Sequence, residues 1–268
     1  RETTNTSDPH IGSRLTGPTR GGTSSTDPYY ADADWTWDYM DGYWTQSGST
    51  NSNLYSWMWK RAKGYMDVVA YTGNGTAGRT VSHNLGVAPE MMIAKRRSSG
   101  AASWTTYVSA LGATKYLRVN NTNAAAVSSG FWNNTSPTDS VFTLGSDADV
   151  NGSSGETYIA YLFATLDGIS KVGSYSGTGT AQNIDCGFTS GARFILIKRS
   201  DSTGDWYFWD SVRGISAGND PYLLLNSSAA EVTNTDYIDP LSSGFTVTSS
   251  APSALNANGG NYIFYAIA

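Results

Sequence analysis

Three sets of residues have the types and spacing to do chemistry. Asp201, Asp205 and Asp210 bracket the string WYFW, and two carboxylates beside an aromatic cleft are how a glycosidase holds its acid and its nucleophile or base. The stretch DADVNGSSGE (147–156) offers Asp147, Asp149, Asn151 and Glu156 as oxygen ligands in the manner of a calcium loop. Its closing Glu falls at the tenth position, where such loops use the twelfth. His83 and Cys186 complete the list, one a potential base and the other a potential nucleophile. A further acidic cluster, Asp32, Asp34 and Asp38, sits in DADWTWD, and His10 lies in a polar stretch where solvation is the plain expectation.

The elements that would position these groups come in two copies. AYTGNGTAGRTVSHNLGVAPEMMIAKRRS (70–98) aligns with SYSGTGTAQNIDCGFTSGARFILIKRS (174–200), SWTTYVSALG (103–112) with DWYFWDSVRG (205–214), and KYLRVNN (115–121) with PYLLLNS (221–227). YIAYLFA (158–164) and YIFYAIA (262–268) close the copies. Short apolar, aromatic and β-branched runs bounded by Gly, Asn and Ser read as strands, and no segment sustains helical periodicity, though 108–118 has room for a single turn. The expected fold is all-β: two tandem homologous β-sandwich domains, 67–166 and 167–268, preceded by an extended N-terminal arm over 1–66. The closing strand is apolar at almost every position and is expected in the middle of a sheet, buried on both faces.

Duplication supplies an internal test, because features shared by both copies are structural and features of one copy are candidates for function. His83 stands where the second copy has Cys186, an exchange that suits packing better than catalysis, and no second His in the repeats completes a triad or a His-based metal site. The carboxylates of 147–156 have no counterpart in APSALNANGG (251–260), which favours an acidic turn over a metal site. Trp104 and Trp206 are equivalent and belong to the core. Tyr207 and Trp209 replace Thr105 and Tyr107, and with Asp205 and the single-copy Trp132 they form the candidate glycan- or receptor-binding set, since sugar rings stack on such aromatics. Glycines in TGNGTAG serve a turn, for no Lys-Ser/Thr pair or helix follows as in a phosphate loop. No cofactor is expected.

Composition narrows the class. Of 268 residues, 13% are aromatic and only 15% charged, with 29 Gly and 17 Tyr, so the polar surface is built from Ser, Thr, Asn and Gly. A net charge of −5 opposes general nucleic-acid binding, which needs a basic face. One cysteine cannot form an internal disulfide, and no apolar run is long enough to span a membrane. The arm begins polar and rich in Gly, Pro, Ser and Thr. It then carries Trp35, Trp37, Tyr39, Trp44, Trp57 and Trp59, too apolar a set to stand free in water, so this segment is expected to dock and to anchor an assembly.

The strings above, together with LGATKYL, PTDSVFTLGS, NDPYLLLN and TDYIDPLSSGF, resemble a domain found near the C-termini of tail-fibre and other virion proteins of marine bacteriophages. The resemblance covers about residues 57–268. It implies a non-enzymatic virion protein on the extracellular particle surface, in contact with other virion subunits and assembled as a homo-oligomer, a trimer by analogy with phage fibres. The function it implies is host adhesion through loops shown to a cell-surface glycan or protein. A capsid or tail decoration anchored by the arm is the alternative, and a glycan-degrading enzyme is the third. The family offers no catalytic residues to carry over.

Overall fold

The computed structural model describes residues 8–32, 35–39, 42–45, 55–98, 100–153 and 155–268, with the backbone alone at 35–39 and 42–45. The fold is all-β, in antiparallel sheets. In the first repeat a six-stranded sheet runs in the order Ala126–Val127, Lys115–Arg118, Thr105–Val108, Met91–Arg96, Thr157–Phe163, Met66–Thr72. One face of it is covered by the strand pair Arg79–Ser82 and Val141–Leu144 and by two short helices, Ser129–Trp132 and Ala148–Asn151. The second repeat follows suit. Its five-stranded sheet runs Ser170–Ser176, Asn261–Ile267, Phe194–Arg199, Trp206–Asp210, Leu223–Leu224, and it is covered by Gln182–Asp185, Gly244–Val247 and Ile238–Leu241.

The closing strands lie inside their sheets, Thr157–Phe163 between Met91–Arg96 and Met66–Thr72, and Asn261–Ile267 between Phe194–Arg199 and Ser170–Ser176. Because side chains alternate across a strand, each closing strand serves two cores. Ala160 and Leu162 face the first sandwich interior, and Phe264 and Ala266 the second. Ile159, Tyr161, Phe163, Ile263 and Tyr265 face a third core that the two repeats share. Met66, Met91, Ile93, Trp104 and Leu117 enter that shared core from the first repeat, and Val172, Leu196, Trp206, Phe208 and Leu223 from the second. Full burial of one such side chain contributes about 1.5–3 kcal/mol, so the shared core welds the repeats into one packed body.

The arm joins the same core and is more than an extended polymer. Thr19–Gly22 pairs with Tyr30–Ala31 in the register Thr19↔Ala31 and Arg20↔Tyr30. Lys115–Arg118 pairs with Ala126–Val127 in the matching register Lys115↔Val127 and Tyr116↔Ala126. Thr23 N–H donates to Pro9 O (2.8 Å), as Val119 N–H donates to Trp104 O (2.9 Å) and Leu225 N–H to Trp206 O (3.0 Å). Residues 8–32 thus form a third copy of the hairpin, with His10–Gly12 as its neighbouring strand. Trp57 and Trp59 also dock: Trp57 stands edge-on to Phe208 (5.1 Å) and donates Nε1–H to Asp210 Oδ2 (3.1 Å), while Trp59 stands edge-on to Phe194 (5.6 Å). At 35–45 the backbone forms a two-stranded hairpin. The side chains of Trp35, Trp37, Tyr39 and Trp44 lie outside the described residues.

Successive hairpins are sewn together by one repeated set of bonds. Trp104 Nε1–H donates to Gly22 O (2.8 Å), and the equivalent Trp206 donates to Arg118 O (2.9 Å). The fully buried Lys95 ammonium donates to Thr26 O (3.0 Å) and Ala102 O (2.6 Å) and lies 5.7 Å from the centre of the Trp104 ring. Lys198, also fully buried, donates to Thr122 O (3.2 Å) and Arg199 O (2.7 Å). Ala102 N–H and Gly204 N–H complete each set by donating to Thr26 O and Thr122 O, both at 2.9 Å. Gly22 and Arg118, and Thr26 and Thr122, hold the same places in their hairpins.

This packing fixes three expected outcomes. Trp206→Phe removes the indole donor from Arg118 O and puts a smaller ring in a fully buried place, so denaturant unfolding should show a loss of about 2–4 kcal/mol from the unpaired carbonyl and the cavity together, and Trp104→Phe should cost a similar amount. Deletion of 262–268 removes a wall common to two cores, so calorimetry should show loss of the cooperative transition of the whole chain, not of the second repeat alone. Burial pulls both lysines down to about 8, against roughly 10.4 in an unfolded chain. The folded state therefore releases these protons first, and the two lysines add stability as pH rises from about 8 towards 10. The wild type should gain stability over that window relative to Lys95→Met/Lys198→Met; a constant difference would show that neither ammonium titrates in the fold.

Candidate functional site

The aromatic residues singled out for glycan binding do not reach the surface. Tyr207 and Trp209 lie side by side at 5.9 Å with an interplanar angle of 14°, buried against Tyr222 inside the second sandwich. Trp132 is buried in the first sandwich, edge-on to Tyr107 at 5.9 Å. The expectation of a stacking platform is corrected on a simple ground: the covering strands of each sandwich lie over the face that carries these side chains. The alternate face, Trp206 and Phe208, is consumed by the shared core. Asp205 accepts from Asn226 Nδ2 (2.7 Å), whose Oδ1 accepts the Trp206 N–H (2.8 Å), so it steadies the start of a strand.

The other carboxylates are similarly engaged. Asp201 pairs with Arg199 Nε (2.9 Å), and this bond lowers its pKa. Asp210 is buried and accepts from the backbone N–H groups of Val212 and Arg213 (both 3.0 Å), from Arg213 Nε (2.6 Å) and from Trp57. Along 147–156, Asp147 caps the helix Ala148–Asn151 by accepting from Asp149 N–H (2.9 Å), and Asp149 pairs with Arg118 (3.0 Å). Asn151 accepts from Asn74 N–H (3.0 Å) and donates to Thr76 O and Gly145 O, while Glu156 pairs with Arg96 (3.0 Å). These oxygens serve arginines and backbone donors in different directions, and no group of three candidate metal ligands converges among the described residues. Asn256 repeats the clamp of Asn151 in the second copy, accepting from Thr178 N–H and donating to Thr180 O and Thr248 O.

His83 and Cys186 occupy equivalent buried places. The imidazole stacks on Phe142 (6.4 Å, 20°), its Nε2 lies 3.2 Å from Thr138 O, and burial lowers its pKa. Burial pushes the Cys186 thiol up to about 12, helped by the Asp185 charge and opposed by Lys171. A thiol so far above neutral is not a thiolate nucleophile.

What the fold does offer is a groove between the repeats. It runs beside the strand Ser170–Ser176 as two joined hollows of about 530 and 420 Å³. The far wall is Ser109–Leu111 and Lys115 of the first repeat. The near side carries Lys171, Ser174, Asn183 and Asp185 in one hollow and Ser176, Asp201 and Asn261 in the other, with Tyr175 at both. The Tyr175 ring is fixed by stacking on Tyr262 (4.8 Å, 14°), and its hydroxyl donates to Leu255 O (2.7 Å). Ser170–Ser176 is an edge strand. Val172 N–H turns outward to Thr165 Oγ1 (3.2 Å), so by alternation Ser174 and Ser176 also direct main-chain groups into the groove.

Sequence reasoning passed over this site, although the internal comparison held a signal for it. Lys171 stands where the first repeat has Asp67, which is closed off by bonds from Arg61 Nε (2.7 Å), Val68 N–H (2.9 Å) and Asn84 N–H (2.8 Å). Asp185 replaces Ser82. Gly173 replaces Val69, and a Cβ on Gly173 would meet the Phe264 ring at 2.4 Å, so the second repeat fills from Phe264 the space that Val69 and Ala160 share in the first.

Searches of the curated proteins and of the solved structures return no match. A family model does match, and its span, residues 16–268, takes in the arm's hairpin and both repeats with the groove between them. The chain belongs to the family described as a domain of unknown function, DUF7483.

Proposed function

We propose that the chain is a non-enzymatic virion module of tail-fibre type that binds a host cell-surface glycan through the groove along Ser170–Ser176. The observation that carries this reading is the division of labour between inside and outside. Asp210, Asp149, Glu156, His83 and Cys186 are committed to packing or to protein partners. The groove gathers hydroxyl, amide, ammonium and carboxylate groups around a fixed tyrosine ring. A polar cleft with one aromatic surface suits a sugar ring, which offers hydroxyls at its rim and C–H groups on its faces.

Weak binding at one groove becomes avid when many copies are displayed on a particle, and assembly with other virion subunits, as a homotrimer or otherwise, belongs to the same reading. Among the described residues no helix is long and apolar enough to cross a membrane. A purely structural decoration role is the second reading, and the docked Trp57 and Trp59 favour it to the extent that the arm is occupied with holding the molecule together.

Glycan-array binding by the full chain separates the two. Adhesion predicts retention of a defined class of surface polysaccharide, with at least a tenfold loss in Lys171→Ala/Asp185→Ala and an unchanged melting temperature. A folded chain that retains nothing on the array, or a double variant that binds as well as the wild type, would sink the groove as the receptor site.

A further inference from the structure

The groove carries two charges that the corresponding places elsewhere in the chain lack. Lys171 stands on its near side and Lys115 on its far wall, one in each hollow, and Tyr175 lines both. Lys115 has Pro221 as its counterpart in the second repeat. In the arm's hairpin its counterpart is Thr19, which the registers Lys115↔Val127 and Thr19↔Ala31 bring to the same place. Lys171 has Asp67, a carboxylate, as its counterpart in the first repeat. Both ammonium groups are therefore particular to the seam between the repeats.

What surrounds each place decides what it can take. Asp67 is closed off by a cation of its own chain, Arg61 Nη2 at 2.6 Å, and by the Asn84 N–H at 2.8 Å. The isolated bridges Ala62↔Met66 and Leu166↔Ser170, one before each repeat, put Thr165 in the place of Arg61. Thr165 is neutral, and its hydroxyl oxygen accepts the Val172 N–H (3.2 Å), so it brings Lys171 no opposite charge. The groove's carboxylates are engaged: Asp185 accepts the Gly187 N–H (2.8 Å), and Asp201 pairs with Arg199 (2.9 Å). Among the described residues, neither Lys115 nor Lys171 has a hydrogen-bond or ion-pair partner within the protein. The groove thus holds its anions and leaves its cations open.

We propose that the ligand of the groove is an anionic glycan, a polysaccharide whose carboxylate or sulfate groups take Lys171 and Lys115 as their partners. This ligand class rests on the groove being the receptor site, and it adds the sign of the ligand's charge. An ammonium presents three N–H donors around a point charge, and its bonds to anionic oxygens are shorter and stronger than those between neutral groups. A sugar ring on Tyr175 with an acidic group toward either hollow meets one lysine, and a run of acidic sugars along the groove meets both. Exposed ion pairs contribute little by themselves, so the two charges select among glycans that the tyrosine and the hydroxyl and amide groups already hold. The net charge of −5 repels polyanions from the molecule as a whole. Retention of a polyanion therefore reports these lysines and not a general basic surface.

The test offers the full chain three immobilised polysaccharides: dextran, which is neutral, polygalacturonate, which carries carboxylates, and dextran sulfate. The expected result is retention on at least one of the two anionic polymers, tenfold or more above dextran. That retention should be lost when salt is raised to about 1 M, where the Debye length is roughly 3 Å. Retention on polygalacturonate alone assigns a uronate, and on dextran sulfate alone a sulfate ester. Lys115→Gln/Lys171→Gln should lower anionic retention at least tenfold and leave the melting temperature unchanged. Equal retention on all three polymers, or on dextran alone, would overturn the anionic ligand and leave the groove standing as a glycan site. Failure to retain on either anionic polymer, or anionic retention undiminished in the double variant, would overturn it as well. A chain that binds no glycan, on these polymers or on the array, would sink both readings together.

Discussion

Everything in this molecule follows from a sheet that is apolar on both faces. A sandwich normally buries one face of each sheet and wets the other. Here the outer faces of the two main sheets are buried against each other, with Tyr161 of one closing strand and Tyr265 of the other in the same core. A repeat of this kind cannot stand alone in water, because separation would expose Trp104, Leu117 and Ile159 from one partner and Trp206, Phe208 and Ile263 from the other. The chain meets that constraint by packing units against one another, and the arm, with Ile11, Tyr29, Trp57 and Trp59 on the same core, contributes to the closure.

A core shared between units needs polar devices to set its register, because apolar contact alone is not directional. The buried lysines supply this. A Lys ammonium in the interior carries a large desolvation cost unless its protons find acceptors, and Lys95 and Lys198 each find a carbonyl of the neighbouring hairpin (Thr26, Thr122) and one of their own stretch of chain (Ala102, Arg199). Sliding one unit along the next by a residue would strand a charge and break the tryptophan bond to Gly22 or Arg118. The pairs Lys95–Arg96 and Lys198–Arg199 split the work: the lysine turns into the seam, and the arginine turns to the opposite face, to Glu156 or Asp201.

Most of this was legible because it is written twice. The strand identities, the central closing strand and the exchange of His83 for Cys186 all rest on patterns that two copies state independently. The arm's hairpin was not legible, because TRGG and KYLR share backbone geometry and almost no side-chain chemistry. Gly21 admits Tyr29 and Trp104 close to the backbone, a Cβ there falling 2.6 Å from the Tyr29 ring, and Gly22 admits Asp8. They also erase the apolar signature that marks the same strand elsewhere. Composition reads this segment as an extended arm for a sound reason, since nothing in it except its partners calls for a sheet.

The rule that single-copy features mark function failed for Tyr207 and Trp209 and needs a physical refinement. Those residues differ from Thr105 and Tyr107 because the second sandwich has a three-stranded cover, with Tyr222 and Tyr237 in contact beneath it, where the first has two strands and a helix carrying Trp132. A larger cavity in one place is answered by larger side chains in another, as Gly173 is answered by Phe264. Such differences compensate each other within a core and say nothing of a ligand. A difference that no neighbouring change absorbs is another matter. Lys171 for Asp67 and Asp185 for Ser82 replace a closed set of backbone bonds and a neutral hydroxyl with opposite charges on one groove wall. Asp185 also accepts the Gly187 N–H (2.8 Å), and the pair of opposite charges on one groove wall is the ground on which the groove is proposed as a binding site.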